Sequence, residues 1–92
     1  MPQVFKVSGY LIYFWTNESD PTEPIHFHVT EGEPTRNATK IWITRSGHCY
    51  LCHNHSNIPE VKLHRIMQIA EARKGEIEGL WKEYFGEIHY FC

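Results

Sequence analysis

The segment I-H-F-H-V-T, residues 25–30, alternates apolar and polar side chains with a period of two. Successive side chains of a strand point to opposite faces, so the pattern predicts a strand with Ile25, Phe27 and Val29 on one side and His26, His28 and Thr30 on the other. The apolar face belongs in a core; the histidine face points outward or into a cleft. Upstream, Q-V-F-K-V-S-G-Y-L-I-Y-F-W is rich in β-branched and aromatic residues and is interrupted by Ser8-Gly9. It predicts two short strands, Val4 to Val7 and Tyr10 to Trp15, joined at that turn. Downstream, A-T-K-I-W-I-T-R-S-G-H-C-Y-L-C reads as a hairpin turning at Ser46-Gly47, with arms at Thr39 to Thr44 and His48 to Cys52. Loops rich in proline and small polar residues, T-N-E-S-D-P-T-E-P and E-G-E-P-T-R-N, separate these runs.

After Pro59 the period changes. Leu63, Ile66, Met67, Ala70, Ile77, Leu80, Trp81, Tyr84 and Phe85 fall on one face of a helix. The helix is expected over 57–85, with Pro59 in its first turn and Ser56 or Asn57 near the cap. Gly75 and Gly79 each cost up to ~1 kcal/mol relative to alanine in a helix interior, which predicts a bend near Lys74-Gly75. Gly86 is the natural stop, and residues 87–91 form a candidate last strand.

A lone amphipathic helix must bury its apolar face, and the only partner within the chain is a small antiparallel sheet. The expected architecture is therefore α+β: one domain over 1–92, four or five antiparallel strands in 1–52 and in the tail, and a C-terminal helix on one face. The other face then stays open unless a partner or another copy covers it. Trp15, Trp42 and Tyr50 are candidates for a homodimer surface.

Charge and cysteine content narrow the function classes. The formal net charge is −2, but a basic middle (Arg36, Lys40, Arg45, Lys62, Arg65, Arg73, Lys74) lies between acidic ends, which disfavours strong nonspecific nucleic-acid binding and still permits a local basic patch. The start of the chain lacks the basic and apolar pattern of a secretory signal, and no segment is apolar enough to span a bilayer, so a cytoplasmic location without membrane contact is expected. Cys49, Cys52 and Cys92 are an odd number of cysteines, expected to be reduced. The chain has no nucleophile elbow, phosphate-binding glycine loop or H-E-x-x-H.

What chemistry remains centres on histidine. On a strand His26 and His28 lie about 6.6 Å apart on one side and can converge on an ion, or act as base and acid. Further ligands would come from C-Y-L-C-H-N-H. His53 and His55, in a loop before the helix, are the better placed, with His48 as another source and zinc as the most plausible metal. Cys49 and Cys52 fall on opposite faces of a regular strand and are more naturally buried free thiols than a zinc knuckle. Arg45, Lys62, Arg65 and Arg73 form a candidate surface for RNA phosphates. Their bland alternative is a solvated helix face paired with Glu60, Glu71 and Glu76.

Taken together, G-Y-L-I-Y-F-W, E-P-I-H-F-H-V, A-T-K-I-W-I-T-R-S-G, and N-I-P before a helix ending W-K-E-Y-F-G resemble the small bacterial family called domain of unknown function 4160. The resemblance covers nearly the whole chain, and its most specific element is Pro24, His26, His28 and Val29. It implies a cytoplasmic protein often encoded beside another small protein, in an arrangement like that of toxin and antitoxin pairs. The family brings no activity to carry over. His53 and His55 depart from its asparagine-rich stretch, which favours His26 and His28 as the site. Three functions are in play: an interaction component of such a pair that also contacts RNA, a metal- or histidine-dependent hydrolase such as a ribonuclease, and a purely structural dimer-forming domain.

Overall fold

In the computed structural model, which describes residues 3–16 and 23–92, the chain forms five strands and then two helices. The strands are β1 (Gln3–Val7), β2 (Tyr10–Tyr13), β3 (His26–Thr30), β4 (Thr39–Ile43) and β5 (Cys49–His53). They pair antiparallel in the order β1-β2-β3-β4-β5, a simple meander. The α+β architecture is as expected. Most of the loop anticipated between Trp15 and Ile25 lies outside the described residues.

Local chemistry accounts for the turns. Ser8 (φ 48°) and Gly9 (φ 86°) both have positive φ, as a two-residue type I′ hairpin requires to match the right-handed twist of its strands. At the next hairpin Thr44 and His48 face one another, the Thr44 N–H donating to the His48 carbonyl at 2.8 Å, and Gly47 takes the left-handed position at φ 90°. Both edge strands carry one extra residue. Val4 is unmatched between the Gln3–Tyr13 and Phe5–Ile12 pairs, and Cys52 between Leu51–Ile41 and His53–Lys40. Such bulges twist an edge away from further pairing.

The expected single helix is two: α1 (Glu60–Ala72) and α2 (Lys74–Phe85). The break falls at Arg73 (φ −111°, ψ 21°), one residue before the Lys74-Gly75 step, and Gly75 lies inside the first turn of α2. α1 lies nearest β5 and α2 nearest β1, so the break lets one apolar stripe follow the twisted sheet from edge to edge. Pro59 precedes α1 with no side-chain cap, and Gly86 ends α2 in the left-handed conformation with its N–H on the Lys82 carbonyl. Residues 87–91 form no strand. The tail is tethered instead by the Ile25 N–H on the His89 carbonyl (2.8 Å) and the Arg45 N–H on the Cys92 carbonyl (2.9 Å).

The main core lies between helices and sheet. Ile12, Phe14, Ile25, Phe27, Val29, Ile41 and Ile43 meet Leu63, Ile66, Ala70, Ile77 and Trp81. Each large side chain buried there contributes roughly 1.5–3 kcal/mol. The opposite face was expected to be open, and here the structure differs. Leu11, Tyr13 and Ala38 form another buried cluster with Trp15 packed against it, and Phe91 of the tail stacks on Trp42 with ring centroids 5.0 Å apart. The chain covers much of this face itself. Of the three aromatics considered for a dimer surface, Trp15 and Trp42 are half-buried and only Tyr50 is exposed. No helix among the described residues is long and apolar enough to cross a membrane.

Candidate functional site

β3 is the middle strand, and its central position controls the histidines. Ile25, Phe27 and Val29 enter the main core, which fixes His26 and His28 on the opposite side, as the alternation requires. That side is not open: His26 is 0% and His28 4% exposed. Their rings meet edge to face with centroids 5.2 Å apart. Tyr13 stacks on His28 (5.6 Å, 29°), while Trp42 and Trp81 pack edge-on against His26 at 5.6 and 5.2 Å. Trp81 also touches Phe14, so one indole links the helix layer, the core and His26.

Backbone carbonyls orient both imidazoles. His26 Nδ1 lies 2.9 Å from the Pro24 oxygen and His28 Nδ1 3.4 Å from the Ala38 oxygen. A carbonyl only accepts, so Nδ1 carries the proton in each neutral ring and Nε2 is the basic nitrogen. This is the outer-shell arrangement that fixes the tautomer of metal-binding and proton-transferring histidines. Glu23 adds charge at the margin, with Oε1 3.9 Å from His26 Nδ1 and 2.8 Å from Lys40 Nζ. The same ammonium lies 4.4 Å from the centre of the Trp42 ring.

The two histidine pairs are aligned but separate. His28 is opposite Lys40, and Lys40 is opposite His53, so a lysine strand position lies between the pairs. His53 and His55 stack on each other with centroids 3.8 Å apart. Burial, then the His55 ring and the Lys40 charge, push the His53 pKa down, which favours its neutral form. Among the described residues no group of three or more His, Cys, Asp or Glu side chains is placed to hold a metal ion. His48 is elsewhere, 3.8 Å from Glu71.

The expectation of buried thiols fails at Cys52, which is exposed, and is met only in part at the half-buried Cys49. Cys49 packs against the core with its thiol 3.6 Å from the Met67 carbonyl, and Cys52 is exposed on the bulge. Burial first, and the Glu71 carboxylate next, push the Cys49 thiol up to about 12, so it is protonated and inert at neutral pH.

The four basic candidates do not form one stripe. The Arg73 guanidinium makes two bonds to Glu76, at 2.6 and 2.7 Å, and lies over the Phe5 ring. Arg45 lies over Tyr90, whose hydroxyl donates to Glu78 at 3.1 Å. Lys62 and Arg65 remain, side by side on α1 and facing the β1–β2 turn.

Comparison with protein families gives a match to the Domain of unknown function (DUF4160) over residues 9–82. The chain belongs to this family. The matched region runs from the β1–β2 turn through β3 to the Trp81 segment, and so contains every ring that encloses the DUF4160 histidine pair apart from the Phe91 tail. No curated protein and no solved structure is significantly similar to the chain.

Sequence reasoning missed two parts of this DUF4160 site. One is Trp81, whose helical periodicity announced a core residue but not its contact with His26. The other is a polar clamp that ties the 54–58 turn to β3 and β4. The Asn54 side chain bonds both the N–H (3.0 Å) and the carbonyl (2.9 Å) of Ile58, and Thr39 Oγ1 donates to Asn54 Oδ1 at 2.7 Å. The Ser56 hydroxyl accepts from the Thr39 N–H at 3.0 Å and reaches the Val29 carbonyl at 3.3 Å. The signal lay in the polar run N-H-S-N, read instead as a helix cap.

Proposed function

We propose that this DUF4160 protein acts in the cytoplasm as the interaction component of a two-protein, toxin–antitoxin-like pair, and that it holds a small partner protein in the groove between β5 and α1. The observation that carries the proposal is an apolar-lined groove there, with exposed Leu51 on its β5 side and core residues Ile58 and Leu63 beneath it. Leu51, Ile58, Leu63 and Met67, with Asn54, Glu60 and His64, line a groove of about 430 Å³. Val61 (84% exposed) lies beside it on α1, next to Glu60 and His64. Strand addition is the weaker way to use this edge, because Cys52 bulges and the Cys49 N–H is already bonded to Glu71 Oε2 at 2.8 Å. The fitting occupant is an apolar helix or segment whose basic flank meets Glu60. Co-expression with the neighbouring gene product tests this: L51E and V61E should abolish copurification while leaving the melting temperature near that of the parent. Undiminished capture by both variants overturns the reading, as does a groove occupied by another copy of the chain.

A histidine-dependent hydrolase is the rival reading. It is favoured by the two Nδ1–carbonyl bonds that leave Nε2 basic in each neutral ring, and opposed by the burial of both rings. Cleavage of RNA that disappears in folded H26Q and H28Q proteins, with or without added divalent metal, would support it; cleavage that persists in both would remove it.

A further inference from the structure

Lys62 and Arg65 stand one turn apart on the flank of α1 opposite the apolar groove. With Val7, Ser8, Tyr10 and Ile66 they line a notch of about 130 Å³ against the β1–β2 turn. Among the described residues no acidic side chain lines it. Among them, too, neither cation makes an ion pair or lies over an aromatic ring, whereas Lys40 and Arg73 do both. Two like charges held around one cavity repel, and an anion between them removes that cost. The turn adds a neutral donor. Position 8 has φ 48°, where glycine or asparagine is the usual residue, yet it is a serine that lines the notch. The Tyr10 hydroxyl is another potential donor, and Val7 and Ile66 supply an apolar floor.

We infer that this notch holds one phosphate group, taken from an RNA backbone or from free phosphate. Its size fits: a notch of about 130 Å³ has room for a tetrahedral oxyanion. Its chemistry fits as well, because arginine presents a planar fork of donors, lysine a point charge, and serine a short hydroxyl at the rim. Of the four basic residues expected to contact RNA, these two retain charge that no group among the described residues neutralises. The inference is independent of the partner groove, which uses the other flank of the helix.

Nitrogen-15 NMR titrations of the full chain test it, first with inorganic phosphate and then with a short oligouridylate lacking terminal phosphates, at matched ionic strength. The expected result is saturable shifts at Ser8, Gly9, Tyr10 and the amides around Lys62 and Arg65. K62M and R65M, which keep the apolar stems, should each weaken binding about tenfold or more, and R65K should recover part of the loss. Saturation by both ligands identifies backbone phosphate as the source, and saturation by inorganic phosphate alone identifies the free anion. Shifts that never saturate, that appear equally at Lys74 and Lys82, or that survive in the folded K62M/R65M double variant overturn the inference.

Discussion

The Tyr13 hydroxyl donates to the Thr35 carbonyl at 2.9 Å and accepts from the Thr35 N–H at 3.2 Å, so one side chain of β2 secures the loop between β3 and β4. That loop continues to Ala38, whose carbonyl holds His28. Y13F removes both hydrogen bonds and leaves two backbone groups to be satisfied elsewhere. It should cost about 1–3 kcal/mol, seen as a fall of ~4–8 °C in melting temperature per kcal/mol for a domain of this size. A Y13F protein that melts with the parent would show that the loop is held by other contacts.

Replacing His26 should be a matter of stability before it is one of function. The ring is fully buried between Trp42, Trp81 and His28, so H26A loses three aromatic contacts and leaves a cavity. By analogy with large-to-small changes at core aromatic positions, the cost is about 2–4 kcal/mol. H53A, at a largely solvent-facing stack, should stay within about 1 kcal/mol. Urea midpoints of the two variants provide the comparison, and equal midpoints would contradict this account of the site.

The Cys49 thiol makes a prediction about pH. Its pKa of about 12 in the folded protein lies above the ordinary thiol value expected on unfolding, so the folded state retains a proton that the unfolded state releases. The stabilisation is complete below about pH 9 and is lost as pH rises toward 12. Tyr13, pushed up by burial against the opposing effect of its backbone bond to Thr35, adds a contribution of the same sign above pH 10. Stability measured by urea should therefore fall between pH 9 and 11, and C49S should flatten the fall. At pH 8 the thiolate fraction of Cys49 is on the order of 10⁻⁴, so an alkylating reagent should modify Cys52 and Cys92 well before it. Labelling of all three at one rate in the folded protein would contradict the assignment.

How much of this was legible in the chain follows from how local each cause is. Alternation at residues 25–30 placed the histidines on one side because period two is a property of the strand alone. Ser8-Gly9, Ser46-Gly47 and Gly86 announced turns and a stop because positive φ selects few residues. The cover over the histidines was not legible: it comes from Ala38 in a loop, Phe91 in a tail and Trp81 at the end of a distant helix, none carrying a period that specifies its contact. The helix break was legible as a break but misplaced. Glycine composition pointed to Gly75, whereas the chain leaves helical angles at Arg73, whose side chain reaches Glu76 and Phe5. The basic residues illustrate the same limit, since charge can be counted in a sequence but its neutralisation depends on the fold.

Gly79 and Gly47 should respond oppositely to alanine. Gly79 lies in the interior of α2 with helical geometry, and nothing stands within 4 Å of where its Cβ would be. G79A replaces the residue with the largest backbone entropy cost by the best helix former and should stabilise the protein by about 0.5–1 kcal/mol. At Gly47 the backbone has φ 90°, and an added Cβ would lie 2.7 Å from Lys74 Nζ, so G47A combines left-handed strain with a displaced lysine. The lysine end can swing away, which leaves mainly the backbone penalty of about 1–2 kcal/mol. Thermal melts of the two variants should move in opposite directions, G79A upward and G47A downward. Were G79A also destabilising, α2 would have to be held by something that a helix interior does not require, such as a close approach at Gly79 by a bound partner or another copy of the chain.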